Sequence, residues 1–337
     1  MKVVAYSVQD FEKEFLAKAN QKKHDITLIS NPLSVDTIAY ATGKDAVIVA
    51  PNDQVTAPLI NKFADMGVRY LTTRSSGTDH IDIKTAAERH IKVANVPAYS
   101  PQAIAEHTVA LALSLSRHLT QADAHSHHFD FRLNGLIGFN FYGKTVGLIG
   151  LGYIGQATAR IFNGLGCRVI GCDVNWPDNV HAIAQVSFEE LLCQSDIISL
   201  HAPLTTSTKY LLNKATFQLM KTGVMILNTS RGGLINTTDA LEAVEKGKIG
   251  YLGLDVYEQE KGLFFEDHEN DRVKDPLLSE LMSHTNVLVT PHQAFLTKEA
   301  LQQLADGTIG NLDRWQNQRG STAIAVQSDR NKIQLIV

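Results

Sequence analysis

Cysteine is scarce in this sequence. The 337 residues include only Cys167, Cys172 and Cys193, an odd number with no CxxC pair. That pattern argues for small core residues in a reducing compartment, which is to say the cytoplasm, and against a redox site. No apolar run is long enough to span a bilayer. The start, Met1–Tyr6, lacks the long apolar stretch and small-residue cleavage site of a signal peptide and reads instead as a first buried strand. The net charge is only -4, which disfavours nucleic acid or an anionic membrane as the main partner. There is no low-complexity segment and no short repeat. His125, His127 and His128 cluster, but no nearby cysteine or acidic pair completes a ligand set, so no metal is expected there. The acidic run from Phe265 to Asp271 is expected to be a surface loop.

Hydrophobic residues make up 44% and charged residues 20%, ordinary values for a globular protein. The length favours two domains. Short β-branched runs at Val3–Tyr6, Ile26–Ile29, Ala46–Val49, Tyr70–Thr72 and Lys92–Val96 alternate with amphipathic stretches at Phe11–Ala19, Ala57–Met66 and Ile83–Arg89. Such alternation implies a parallel sheet covered on both faces. An apolar helix is expected over Gln102–Leu119, buried against another element or another subunit, and then a polar segment to about Tyr142. A second series begins at Lys144, with strands expected at Thr145–Ile149, Arg168–Cys172, Ile197–Leu200, Val224–Asn228, Gly250–Leu254 and Asn286–Val289. A final helix, Thr297–Trp315, is expected to return to the first domain. The tail after Gln318 has no clear place.

The strongest local signal is Gly150-Leu151-Gly152-Tyr153-Ile154-Gly155, between the strand ending at Ile149 and a helix over Gln156–Leu165. Gly150 permits a tight turn, Gly152 lets a pyrophosphate approach the backbone, and Gly155 lets helix and strand pack closely. The helix N-terminus offers N–H groups and a partial positive charge to phosphates. Asp173 closes the next strand, eighteen residues beyond Gly155 and near the offset of about 20 at which an acid accepts the ribose hydroxyls of NAD. The same acid would repel the 2′-phosphate of NADP. The expected fold is therefore α/β, with two doubly wound parallel-sheet domains. A Rossmann NAD-binding domain, 100–296, is inserted into a flavodoxin-like substrate domain made of 1–99 and 297–337.

Three later segments place polar residues at strand ends, where open α/β sheets bind ligands. In Asn228-Thr229-Ser230-Arg231-Gly232-Gly233, an arginine beside two glycines suits a bidentate clamp on a carboxylate, the alternative being a cap on the sheet edge. In Val289-Thr290-Pro291-His292-Gln293-Ala294-Phe295, the histidine is a natural proton donor, since an unperturbed imidazole titrates near about 6.5. A carboxylate on its other nitrogen would fix the tautomer, and Glu260, in Leu254-Asp255-Val256-Tyr257-Glu258-Gln259-Glu260, is the candidate. Spacing alone leaves His292 open between a structural and a catalytic histidine, and Glu260 between a solvated acid and a partner.

These segments, with His201-Ala202-Pro203-Leu204-Thr205, resemble the D-isomer-specific 2-hydroxyacid dehydrogenases in order and content, from about residue 1 to about 318. Val96-Pro97-Ala98-Tyr99-Ser100-Pro101 and the two segments around Asp255 and His292 are most similar to the D-lactate dehydrogenases of that family. The resemblance implies that Arg231 binds substrate, that His292 is the general acid/base and that Glu260 pairs with it. It also implies that Asp255 positions the nicotinamide, that the amides of Ser76 and Gly77 hold the substrate carboxylate, and that Tyr99 and Phe295 line the pocket. Tyr153, Ile154, Ala202, Pro203, Thr208, Thr229 and Ser230 would touch NAD. Thr208 replaces an asparagine of some relatives, and Arg74-Ser75-Ser76-Gly77 departs in its side chains. The implied activity is fermentative reduction of pyruvate to D-lactate by a homodimer. The alternatives are a D-2-hydroxyisocaproate or aromatic D-2-hydroxyacid dehydrogenase and, remotely, an NADH-responsive corepressor of the C-terminal-binding-protein type.

Overall fold

The computed structural model describes residues 1–178, 180, 183–271 and 275–320. The tail left unplaced by sequence lies outside these residues from 321 onward. Contacts divide the chain into two compact units: Met1–Ser100 with the described residues from Leu296 on, and Pro101–Phe295.

The first unit runs β1 (Lys2–Ala5), α1 (Asp10–Asn20), β2 (Asp25–Leu28), β3 (Ala46–Val49), α2 (Ala57–Asp65), β4 (Tyr70–Thr73), α3 (Ile83–Glu88) and β5 (Lys92–Ala94). Its strands are all parallel, in the order β2-β1-β3-β4-β5, which is flavodoxin-like. Strand β3 shows why. Val47 and Val49 enter one apolar cluster while Ala46 and Ile48 enter another. A strand buried on both faces reads as a continuous apolar run.

The second unit runs α4 (Pro101–Ser116), α5 (Leu119–His127), β6 (Thr145–Ile149), α6 (Tyr153–Gly164), β7 (Arg168–Cys172), β8 (Ala184–Gln185), α7 (Phe188–Gln194), β9 (Ile197–Leu200), α8 (Lys214–Leu219), β10 (Val224–Asn228), α9 (Thr237–Glu245), β11 (Ile249–Leu254), α10 (Pro276–Ser283) and β12 (Val287–Val289). All pairings are parallel, and the order is β12-β11-β10-β9-β6-β7-β8. From β8 to β11 this is the Rossmann order 3-2-1-4-5-6, with β12 added as a seventh strand. In β10, Val224 and Ile226 face one core cluster and Met225 and Leu227 the other. The remaining helix, α11 (Lys298–Gly320), belongs to the first unit. Its Leu312 and Trp315 share a cluster with Val3 and Ile48, and Trp315 stacks on Tyr70 at 4.9 Å.

Three sequence expectations need correction. Among the described residues the second sheet has seven strands, not six; the extra one, β8, is only two residues long and both are exposed. The apolar helix over Gln102–Leu119 stops at Ser116, where His118 takes a left-handed φ of 50°. The polar segment after it then begins with α5, a helix that buries no residue. The cover for α4 comes from its own unit, since Val109, Leu111, Ala112 and Leu115 pack with Val146, Leu148 and Phe162. No described helix is long and apolar enough to cross a membrane.

Candidate active site

Strands β7, β6, β9, β10, β11 and β12 lie side by side and parallel, so the loops leaving their carboxyl ends line one edge of the sheet. Those loops carry Asp173, the Gly150–Gly155 turn, Ala202, Thr229–Arg231, Asp255 and His292 in turn. The order of strands switches sides between β6 and β9, with β7 and β8 added on one side of β6 and β9 onward on the other, the position where such sheets bind ligands.

The glycine turn meets the physical demands of a dinucleotide. Gly150 has φ of +95°, and a Cβ there would lie 2.6 Å from the His201 backbone. A Cβ on Gly155 would lie 2.2 Å from the Gly150 carbonyl oxygen. Nothing lies within 4 Å of the Cβ position of Gly152, which leaves room for a phosphate against bare backbone. The helix starts at Tyr153, three residues before the sequence expectation, with Tyr153 72% exposed. One Asp173 oxygen accepts the Leu151 amide at 2.5 Å and the other the Asn175 amide at 2.8 Å. The carboxylate is thus oriented by the glycine turn itself. Thr208 folds its own loop, its hydroxyl donating to the Pro203 carbonyl at 2.6 Å and accepting from the Thr205 amide at 2.8 Å.

Behind this turn, burial pushes the His201 imidazole down to about 4, and its Nε2 lies 2.9 Å from Ser199 Oγ. The unfolded chain would take up this proton near about 6.5, the folded chain only near 4, so the neutral ring stabilises the fold above the first value. That contribution, up to roughly 3 kcal/mol, is lost as the pH falls between the two. Unfolding free energies of the parent and of His201→Gln, measured from pH 7 to pH 4, should therefore differ in slope. Parallel curves would show that His201 carries no such linkage.

The Arg231 loop is held from several sides. Asn228, fully buried, donates from Nδ2 to the Arg231 carbonyl at 2.9 Å and accepts the Ser230 amide at 3.1 Å. Ser230 Oγ donates to the Ala202 carbonyl at 2.6 Å, and Thr229 Oγ1 lies 2.8 Å from Thr108 Oγ1 on α4. Arg231 Nη1 donates to the Ser230 carbonyl at 2.9 Å. A Cβ on Gly232 would fall 2.1 Å from the Tyr257 carbonyl carbon. Only glycine lets the arginine loop abut the loop that leads to Glu260.

His292 and Glu260 do meet: Nδ1 lies 3.1 Å from Oε1, with the side chains 23% and 28% exposed. Glu260 Oε2 accepts the Tyr257 amide at 3.1 Å, and Tyr257 OH donates to Asp275 at 3.1 Å. A carboxylate can only accept, so His292 Nδ1 carries the hydrogen and Nε2 is the atom left for proton transfer. Asp255, fully buried, accepts from Thr290 Oγ1 at 2.6 Å, from the Gln293 amide at 2.9 Å and from the Ala294 amide at 2.9 Å. It clasps the histidine loop on both sides of His292, whose own φ is 53°. Phe265, in the run expected to be a mere surface loop, has its ring 5.9 Å from the imidazole.

In the first unit, Ser76 and Gly77 follow β4. Ser75 Oγ donates to the Gly77 carbonyl at 2.7 Å, Asn95 Nδ2 to the Ser76 carbonyl at 2.6 Å and Ser76 Oγ to the Pro97 carbonyl at 3.2 Å. Arg74 is buried, with Nε 2.8 Å from Glu12 Oε1 and Nη2 donating to the Tyr6 and Ser7 carbonyls at 3.1 Å. Tyr99 in this unit and Phe295 in the other are half-buried. Among the described residues no group of three His, Cys, Asp or Glu is placed to hold a metal ion. The site residues that sequence reasoning missed are Thr108, Thr290 and Phe265. Thr290 and Phe265 lie in segments the sequence singles out but have no role assigned there, Thr108 lies in the apolar helix, and folding recruits each.

The family model for the D-isomer specific 2-hydroxyacid dehydrogenase, NAD binding domain, matches residues 109–294. The D-lactate dehydrogenase of Escherichia coli is 41% identical over 316 residues, covering 93% of this chain and 96% of the relative. A solved structure described as the pyruvate reductase of Chlamydomonas reinhardtii superposes with a TM-score of 0.88 at 42% identity, covering 94% of this chain and 96% of that one. A D-2-hydroxyisocaproate dehydrogenase structure superposes with a TM-score of 0.84 at 32% identity, covering 96% and 98%.

Proposed function

We propose a function from an established premise: the chain belongs to the D-isomer specific 2-hydroxyacid dehydrogenases, whose sheet at residues 109–294 is an NAD-binding domain. The proposed reaction is reduction of a small 2-oxoacid, pyruvate first, to the D-2-hydroxyacid. The observation that carries it is the Glu260–His292 pair at 3.1 Å, on the same sheet edge as the glycine turn. The chemistry NADH supplies when bound is a hydride for the carbonyl carbon. Gly150, Gly152, Tyr153, Ile154, Gly155, Asp173, Ala202, Pro203, Thr208, Thr229 and Ser230 would hold the cofactor, with Asp255 anchoring the loop beside it.

In this reading the Arg231 guanidinium grips the substrate carboxylate through two parallel N–H donors. His292 gives the proton on Nε2 to the carbonyl oxygen, and Glu260 stabilises the imidazolium before transfer and orients the neutral ring after it. Ser76, Gly77, Tyr99 and Phe295 are the proposed carboxylate and pocket residues. Pyruvate is favoured because similarity to the pyruvate reductase, 42%, exceeds that to the D-2-hydroxyisocaproate enzyme, 32%. NADH oxidation with pyruvate and with 2-oxoisocaproate, followed by chiral analysis, tests this. The expected preference for pyruvate is about 10- to 200-fold in kcat/KM, the range available to a pocket that rejects extra methylenes. A preference for the longer acid would make this an isocaproate-type enzyme, an L product would refute the stereochemistry, and inactivity with every 2-oxoacid would favour the corepressor reading.

The proposed assembly is a homodimer, for a reason other than helix α4. Phe129, Phe131, Leu133 and Ile137 are 86%, 69%, 78% and 88% exposed, more apolar surface than isolated side chains explain. A second copy of the chain would cover it in a two-fold arrangement. Sedimentation should give about twice the 37.0 kDa chain mass, and a monomer would end this part of the reading. The described cysteines form no disulfide, and the cytoplasm is the proposed location.

A further inference from the structure

The loop that carries His292 is clasped by Asp255, and one more side chain stands behind the clasp. His107, on α4, has its Nε2 3.0 Å from Thr290 Oγ1 and 3.4 Å from Asp255 Oδ1. The bond directions follow from counting protons. Thr290 has one hydroxyl hydrogen, and its 2.6 Å bond to Asp255 Oδ1 uses it, because an ionised carboxylate only accepts. The hydroxyl oxygen can then offer His107 nothing but lone pairs, so Nε2 of His107 must bear the hydrogen. The result is a one-way chain: His107 Nε2–H donates to Thr290 Oγ1, whose hydrogen goes to Asp255 Oδ1. That oxygen also accepts the Gln293 amide, and Oδ2 accepts the Ala294 amide.

We infer that His107 is a positioning residue for the proton donor, acting through the Thr290–Asp255 pair. Resting on the function proposed above, this assigns His107 no contact with substrate or cofactor. His292 sits at φ 53°, next to the bond by which its amide reaches the Thr290 carbonyl at 2.9 Å. A side chain other than glycine holds such a conformation only where its surroundings over-determine it. Thr290 is the near anchor of that turn, and a hydroxyl rotor is fixed only when both its hydrogen and its lone pairs are engaged. His107 is the partner that engages the lone pairs. It does so from α4, whose Val109, Leu111, Ala112 and Leu115 are packed into the core, so the donor is mounted on a rigid element.

The test compares His107→Leu, which removes the donor, with His107→Gln, whose Nε2 amide reaches a similar position and donates. In the leucine variant kcat with pyruvate should fall about 10- to 100-fold, the scale of a slightly misplaced catalytic group, with KM nearly unchanged. Hydrogen exchange at the Gln293 and Ala294 amides should quicken by about 10-fold, the loss of one supporting hydrogen bond. Both effects should revert in the glutamine variant. Unchanged exchange at those two amides in the leucine variant, or glutamine and leucine behaving alike, would overturn the relay. A parent protein inactive with every 2-oxoacid would sink the dehydrogenase reading instead, and the amide exchange would still decide the relay.

Discussion

His292→Ala is expected to lower kcat for 2-oxoacid reduction by about 10²- to 10⁴-fold, the usual contribution of a positioned general acid. Glu260 takes Nδ1 at 3.1 Å, so the ring presents one nitrogen for proton transfer, and removing the ring removes that proton. The backbone complicates the experiment. At φ 53° alanine is strained, whereas asparagine tolerates the left-handed region. His292→Asn therefore serves as the second variant: it should keep the loop and cofactor binding and lose turnover to the same extent. Stopped-flow measurement of NADH oxidation, with NADH binding followed by fluorescence, separates the two properties. An asparagine variant turning over near the parent rate would remove His292 from the chemistry.

Arg231→Lys is the second large expected effect, about 10²-fold in kcat/KM. The loop itself should not move. Asn228 holds the Arg231 carbonyl and the Ser230 amide, and Ser230 holds the Ala202 carbonyl, so the loop stays anchored when the Nη1 bond to the Ser230 carbonyl is lost. What changes is the head group. A planar fork with parallel donors becomes a compact ammonium, so charge is kept and two-point orientation of the carboxylate is lost. Loss of orientation at the reacting centre costs on the order of 10²-fold. Steady-state kinetics should show KM for the oxoacid rising and kcat falling together. A lysine variant with parental kcat/KM would mean that Arg231 only caps the sheet edge.

Sequence made the strand ends of the second unit legible because β6, β7, β9, β10, β11 and β12 each close a largely apolar run with glycine or a polar residue immediately after. Gly150, Gly152 and Gly155 could each be given a separate task; the structure supplies a steric reason at Gly150 and Gly155 and open space at Gly152. What stayed hidden had no local signature. Ala184–Gln185 forms a strand only because β7 lies beside it, and two exposed residues show no alternation. Helix α5 buries nothing, so no apolar stripe announced it, and the break before it falls at His118 rather than at glycine or proline. The contacts of the site were least legible of all. His107 and Thr290 lie 183 residues apart, and His292 and Glu260 lie 32 apart. A motif suggests which residues meet, but only the parallel order of β10, β11 and β12 puts their loops side by side.

The brevity of the outermost strands has a consequence for the chain while it folds. The seven-stranded sheet ends on β8, two residues long, and on β12, three residues long, while the five-stranded sheet ends on β2 and β5, of four and three residues. An incoming polypeptide would find only a rung or two of open amides and carbonyls on any margin. Propagation of one molecule's sheet into the next is therefore denied a template, and concentrated preparations should resist the ribbon-like polymerisation to which parallel sheets with long open borders are prone.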